Sequence, residues 1–244
     1  MAFENFRSKC IEIFARNDFF PTPSEEQIVK LHKLTEIMLE VNKSMNLTAI
    51  TEESAVILKH YADSVSISHD IPEAASLIDV GCGAGFPSLP LAIFRPDISI
   101  TALDSTAKRI EYVRSTAKAL GLDNITAVAA RAEEHSRKPE LRESFDIATA
   151  RAVAAMPILC EICLPFVKVG GKFIAMKASQ GLSEAEISKK AATTCGGSIT
   201  DVKELSLVGI SGEPEKRVVI TVKKISRTPD KYPRHYSQIS KKPL

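Results

Sequence analysis

Nine residues, Asp79-Val-Gly-Cys-Gly-Ala-Gly-Phe-Pro87, hold the densest chemistry in the chain, with glycines at 81, 83 and 85 behind an acid and a short apolar run. Bare backbone at the end of a strand lets a ligand approach main-chain N–H groups closely. The dinucleotide fingerprint spaces its glycines as Gly-x-Gly-x-x-Gly, and this loop is one residue short of that. A Walker loop would run on into Gly-Lys-Ser/Thr, whereas Phe86-Pro87 follows here. Asp79 disfavours a pyrophosphate and suits a cationic ligand with an amino group. S-adenosylmethionine carries a sulfonium and an ammonium, so it fits this loop better than a nucleotide.

Companion residues stand at successive strand ends. Asp104 closes a second apolar run, where an acid can accept both hydroxyls of an adenosine ribose. The third run leads into "AARAEEH", in which Ala132 and Glu133 can flank and hydrogen-bond an adenine. Arg151 ends the fourth run, where it serves either as a substrate contact or as a salt-bridge partner for Asp79 or Glu133.

The elements that hold these residues follow from periodicity. Strands are expected at 76–80, 99–104, 125–130, 145–150, 172–177, 204–209 and 217–224, the first five separated by helical crossovers and the last two joined as a hairpin by "ISGEPEK". Ile110, Val113, Ala117 and Leu120 share a helix face that Gly121 terminates. Ahead of the sheet, three helices are expected: one through Phe3, Phe6, Cys10, Ile13 and Phe14 that stops at "FFPTP", one capped by Ser24 with Gln27 and running to Asn42, and one over 52–67. The division is a helical extension (1–70), an α/β domain (71–226) with a mostly parallel seven-stranded sheet of Rossmann-like class, and a basic tail (227–244).

The 244 residues are 44% hydrophobic and 25% charged, enough for one large α/β domain with a modest extension. Five sparse cysteines suit a reducing cytoplasm, and nothing resembles an export signal or a membrane span. Cys160 and Cys163 fall on an apolar helix with no second pair to complete a metal site, so no metal is expected; Cys82 fills a small-residue position. Net charge is +2, distributed as +8 over residues 216–244 and −6 over the rest, which points to a polyanionic partner or to a solvated tail. His60 and Asp63 read as helix anchors near the pocket, Asn46 and Thr48 as cap or turn residues, and the remaining histidines as surface.

The ordered motifs "NLTAI", "KHYADS", "DVGCGAGFPSLPLAI", "LDSTAKR", "ARAEE", "TARAVA", "AMKA" and "YPR" closely resemble the bacterial glucose-inhibited division protein B family, over roughly residues 20–235. That resemblance implies a class I S-adenosylmethionine-dependent methyltransferase acting on N7 of a guanine in 16S ribosomal RNA, in the 530 loop near the decoding site. Its implied cofactor residues are Gly81, Gly83, Gly85, Phe86, Asp104, Ser105, Thr106, Ala132, Glu133 and Arg151. Arg151 and Lys177 are the implied catalytic pair, and Arg131 and Arg217 are implied around the guanine and RNA backbone, with Lys223 and Lys224 added as phosphate ligands on the last hairpin. The implied partner is 16S rRNA or the small subunit, with the enzyme itself a cytoplasmic monomer. The family follows "YPR" with a basic residue and a Gly-x-Pro turn, and "YPRHYSQISKKPL" departs from it. Guanine N7 has a free lone pair, so no general base is needed; Arg151 and Lys177 would hold O6 or phosphate. The competing readings are transfer to a small molecule or protein, and a non-catalytic RNA-binding protein that keeps the fold.

Overall fold

The computed structural model describes residues 2–17 and 21–244; Phe19 and Phe20 of the expected first helix stop lie outside them. Short β-branched and alanine-rich runs form β1 (Ser76–Val80), β2 (Ser99–Asp104), β3 (Ile125–Ala129), β4 (Phe145–Arg151), β5 (Val167–Ala178), β6 (Gly197–Val208) and β7 (Pro214–Lys224). They make one seven-stranded sheet in the order β3-β2-β1-β4-β5-β7-β6. The first five run parallel, and β7 inserts antiparallel between β5 and β6. The α/β class and the antiparallel closing hairpin therefore stand as expected. β5 and β6 begin earlier than periodicity indicates, at Val167 and Gly197. β6 is an edge strand with one ladder partner, so its half-solvated "GSITDVKE" start carries little apolar alternation to read.

The helices are α1 (Phe3–Ala15), α2 (Glu25–Met45), α3 (Glu53–Val56), α4 (Asp63–Val65), α5 (Ser88–Phe94), α6 (Ala107–Ala119), α7 (Ala132–His135), α8 (Met156–Cys163), α9 (Gly181–Ile187), α10 (Lys189–Thr194) and α11 (Tyr236–Lys241). Ser24 and Gln27 cap α2 reciprocally, and Asn46 ends it in the left-handed region at φ 49°. Between α3 and α4 the helix continues through a π turn, Ile57–Ala62, that carries His60 and leads into Asp63. One core joins α1 through α6 to one sheet face, from Phe6 and Leu31 to Leu77 and Ile100; a second packs Leu159, Cys163 and Ile239 against Ile78, Phe173 and Ile220 on the other face. Among the described residues no helix is long and apolar enough to cross a membrane.

The basic tail is tied down. Arg137 donates to the carbonyls of Asp230, Lys231 and Pro233, and Arg142 to those of Thr228, Pro229 and Tyr232. Arg234 meets the fully buried Glu161 through its backbone N–H and two guanidinium nitrogens, at 2.6–2.8 Å. Arg227 pairs with Glu143 at 3.0 Å. These arginines fasten the tail instead of extending it toward a polyanion.

The antiparallel course of β7 also separates Arg217 from the two lysines expected beside it. Arg217 lies beside Ala178 at the carboxyl end of β5, whereas Lys223 lies beside Lys172, midway along that strand and at the far end of the β5–β7 ladder. Lys223 therefore sits away from the carboxyl edge, with Nζ donating to the Gly170 carbonyl. Lys224 is fully buried, its Nζ bonded to the Leu164 carbonyl and Thr228 and paired with Glu143 at 3.2 Å. The strand that carries Arg217 to the site thus carries both lysines away from it.

Replacing Lys224 with alanine strands part of a buried carboxylate network and should lower unfolding stability by about 3 kcal/mol in urea titrations. Lys223→Ala should stay within about 0.5 kcal/mol of the parent. Equal midpoints for the two variants would show that Lys224 is not the structural member of the pair.

Candidate active site

Where β1 ends, Gly81 takes φ 78° and its N–H donates to the Leu103 carbonyl at 2.7 Å, turning the chain out of the sheet. A Cβ at Gly81 would lie 2.6 Å from Val153, so no other residue fits the turn. Around it a cleft opens at the carboxyl edge, walled by Asp104, Ser105, Thr106, Arg109, Arg131, Ala132, Glu133, Ala152, Val153, Ile162 and Tyr236. Asp104 is 8% exposed and its carboxylate is held from two sides. Gly83 N–H donates to Oδ2 at 3.0 Å and Thr106 N–H to Oδ1 at 2.8 Å. Each oxygen keeps acceptor capacity toward the cleft.

Gly85 serves packing: at φ 83°, its Cβ would lie 2.5 Å from Leu89, so bare backbone lets the loop rest on α5. Phe86, expected against the cofactor, is 5% exposed and stacks on the His60 ring at 4.4 Å and 6°. Arg151 also meets it, its guanidinium carbon 5.4 Å from the ring centroid. Only Gly81 of the three glycines opens onto the cleft, while Gly83 reaches it through the Asp104 bond.

A second cleft adjoins the first at Ala152, which lines both. Ala152 has φ 56°, a left-handed conformation that a non-glycine residue adopts rarely, and such strain concentrates at sites where chain direction matters. Lys59, His60, Asp63, Arg151, Lys177, Glu184 and Arg217 line this second cleft. Asp63 bridges Arg151 Nη1 at 2.9 Å and Arg217 Nε at 3.3 Å, so Arg151's ion-pair partner is neither Asp79 nor Glu133. Arg217 also meets Glu215 at 3.1 Å, and Glu215 meets Lys59 at 2.6 Å. Lys177 Nζ donates to the Ala154 carbonyl and to Glu184 Oε2, each at 2.8 Å. His60 anchors through Nε2 to Thr48 Oγ1 at 2.9 Å; burial, helped by the charge of Arg151, pushes it down to about 3, so the ring is neutral.

The model of the GidB family, described as rRNA small subunit methyltransferase G, matches residues 27–210. A ribosomal RNA small subunit methyltransferase G from Acetivibrio thermocellus is 47% identical over 90% of this chain and 90% of its own length. The one from Clostridium botulinum strain Eklund 17B is 44% identical over 91% and 92%. The chain belongs to this family. Among solved structures, an S-adenosylmethionine-dependent methyltransferase from Aquifex aeolicus superposes with TM-score 0.51 at 15% identity, covering 77% of this chain and 97% of that one, a likeness of fold.

In this methyltransferase Gly81, Asp104, Ser105, Thr106, Ala132 and Glu133 line the first cleft, together with Arg131, which the sequence reading set beside the RNA, while Arg151, Lys177 and Arg217 line the second. Among the residues that sequence reasoning left outside the site, Tyr236, Glu184 and Asp63 also face the clefts. Tyr236 and Glu184 carry no local motif and reach the site only through tertiary docking of α11 and α9. Asp63 was legible, since it lies three residues after His60 in "KHYADS", but its double ion pair was not. All five cysteines are free and buried, and burial pushes the thiols of Cys10 and Cys195 up to about 12, so neither is a nucleophile.

Asp79 is fully buried; Oδ2 accepts from Ser88 Oγ at 2.5 Å, and Oδ1 has no hydrogen-bond partner. Burial, opposed by Ser88 and the charge of Arg151, holds its carboxyl up at about 6 against an ordinary 3.8. The folded value is the higher, so this group's stabilising contribution is complete below the unfolded value and is lost as pH rises through about 6. Asp79→Asn, neutral throughout, should therefore gain on the parent as pH rises, by about 3 kcal/mol above pH 7 in unfolding titrations without cofactor. Parallel stability profiles for the two proteins from pH 4 to pH 8 would show that the buried carboxyl carries no such cost.

Proposed function

We propose that this chain transfers a methyl group from S-adenosylmethionine to N7 of a guanine in 16S rRNA, in the 530 loop of the small subunit. The observation that carries the reading is the pair of clefts meeting at Ala152, one built for an adenosine and the other lined by cations. The first cleft fits the cofactor on its own geometry. Asp104 presents two fixed carboxylate oxygens to a ribose diol, and the bare Gly81 leaves room that a Cβ would fill. Ala132 and Glu133 would flank the adenine, and Tyr236, from the tail, lines the same cleft. S-adenosylmethionine, when bound, supplies an electrophilic methyl group.

The chain's own residues do the rest by positioning. Guanine N7 needs no proton removed, so the rate depends on holding the base in line with the bond to be broken. Arg151 is fixed by Asp63 and the Lys59 carbonyl, both at 2.9 Å, and Lys177 by Ala154 and Glu184, so both cations are set before RNA arrives. They hold O6 or phosphate; Arg131 and Arg217 add backbone contacts that weaken with salt. The target nucleotide must be unpaired or unusually folded for its edges to be reached.

Labelled S-adenosylmethionine incubated with unmodified small subunits, or with stripped RNA, should yield 7-methylguanine mapped by chemical cleavage; no label in either RNA would sink the reading. Asp104→Ala should weaken S-adenosylmethionine binding about a hundredfold in calorimetry, and Tyr236→Ala about tenfold. Arg217→Ala should leave that affinity unchanged and flatten the salt dependence of rRNA binding by about one phosphate contact. Unchanged cofactor affinity in Asp104→Ala would refute the ribose assignment.

A further inference from the structure

We propose that Lys177 and Glu184 read the Watson–Crick edge of the acceptor base and thereby select guanine; the inference rests on guanine being the acceptor. Lys177 lies one residue before the carboxyl end of β5, and Glu184 sits on α9, which is pressed against the sheet because Gly181 has no Cβ. One there would lie 2.6 Å from Val218 Cβ and 2.9 Å from Lys177 Cβ. The two side chains, 12% and 17% exposed, are 2.8 Å apart and line the second cleft together. Each has unused capacity. The ammonium has three N–H donors and spends two, on Ala154 and Glu184. Glu184 uses Oε2 for both Lys177 and the Met156 N–H, at 2.8 Å each, and among the described residues Oε1 accepts nothing.

A donor beside an acceptor is the complement of guanine O6 beside N1–H. Adenine presents the reverse pattern, an amino group toward the ammonium and a lone pair toward the carboxylate, so both contacts become repulsive. The geometry also agrees with the site of reaction. N7 lies on the adjoining Hoogsteen edge, beside O6 and away from N1, so a base seated against this pair leaves the N7 lone pair uncovered for attack. As N7 bonds to the methyl carbon, the carbon–sulfur electron pair leaves on sulfur and the purine acquires positive charge. That charge makes N1–H a stronger donor, so the contact to Glu184 tightens in the transition state.

The test uses full-length enzyme and small subunits reconstituted with rRNA carrying guanosine, inosine or 2-aminopurine at the target. Inosine keeps O6 and N1–H; 2-aminopurine keeps N7 but lacks both. Wild-type enzyme should methylate inosine within about tenfold of guanosine and 2-aminopurine at least about a thousandfold more slowly. Glu184→Gln keeps an acceptor for Met156 N–H, and should retain S-adenosylmethionine affinity and melting temperature. It should lower kcat for guanosine about tenfold or more and shrink the guanosine to 2-aminopurine ratio by at least that factor. Intrinsic N7 reactivity cancels, because the same bases are compared in both proteins. An unchanged ratio in Glu184→Gln overturns the proposal, as does wild-type enzyme that accepts 2-aminopurine like guanosine. Failure of wild type to methylate the guanosine substrate at all is a different result, and removes the underlying reading instead.

Discussion

Asp63, a carboxylate 6% exposed between two guanidiniums, joins the N-terminal helices to the sheet at the one edge where chemistry can occur. Its partners come from distant parts of the chain: Arg151 ends β4, and Arg217 begins the return along β7. A carboxylate so placed is stable only while both cations remain, because an unpaired charge in that setting is costly. The constraint runs further. Arg151 lies over Phe86, Phe86 stacks on His60, and His60 is tied to Thr48 in the loop after α2. The glycine loop, the π turn and the end of β4 thus share one packed contact set, and displacing any of them shifts Arg151. The extension behaves as part of the site's wall, continuous with the core under the sheet.

The two clefts divide the labour between backbone and side chains. On the first, the decisive features are main-chain: the left-handed turn at Gly81 and the N–H groups of Gly83 and Thr106 that hold Asp104. On the second they are paired charges: Arg151 with Asp63, Lys177 with Glu184, Arg217 with Glu215. Ala152 stands between them in a strained conformation that carries the chain from β4 past both. The arrangement suits a transfer in which one ligand must be held deeply and the other presented edge-on.

Much of this was legible because the signals are local. Strand ends carry the cofactor-side residues, and a strand end is readable from alternation plus a following glycine or capping residue; Asp104, Ala132 and Glu133 follow directly. What was not legible needed topology. Lys223 and Lys224 look like Arg217 in sequence, but the antiparallel course of β7 separates them along its length, and Lys224 disappears into a core as a counter-ion for Glu143. Phe86 looks like loop lining, yet its ring turns under the loop because His60, remote in sequence, offers a face to stack on. Tyr236 sits in a segment that matches no familiar pattern; its place depends on Glu161, buried on α8, holding Arg234 two residues earlier.

Charge distribution takes on a different meaning once the tail is seen docked. A run of +8 over the last 29 residues reads as an electrostatic arm, but Lys224, Arg227 and Arg234 each have an internal carboxylate partner. The second cleft follows the same rule, with Arg151, Lys177 and Arg217 all paired before any acceptor enters. Cations neutralised in this way attract a polyanion weakly at long range and bind it well only when its groups meet their remaining N–H donors in the right geometry. Under the proposed activity, that favours recognition of one folded RNA surface over loose adhesion to any RNA. It also leaves Arg131, exposed on the first cleft and without an ion-pair partner among the described residues, to draw the substrate in, while the paired residues decide whether it fits.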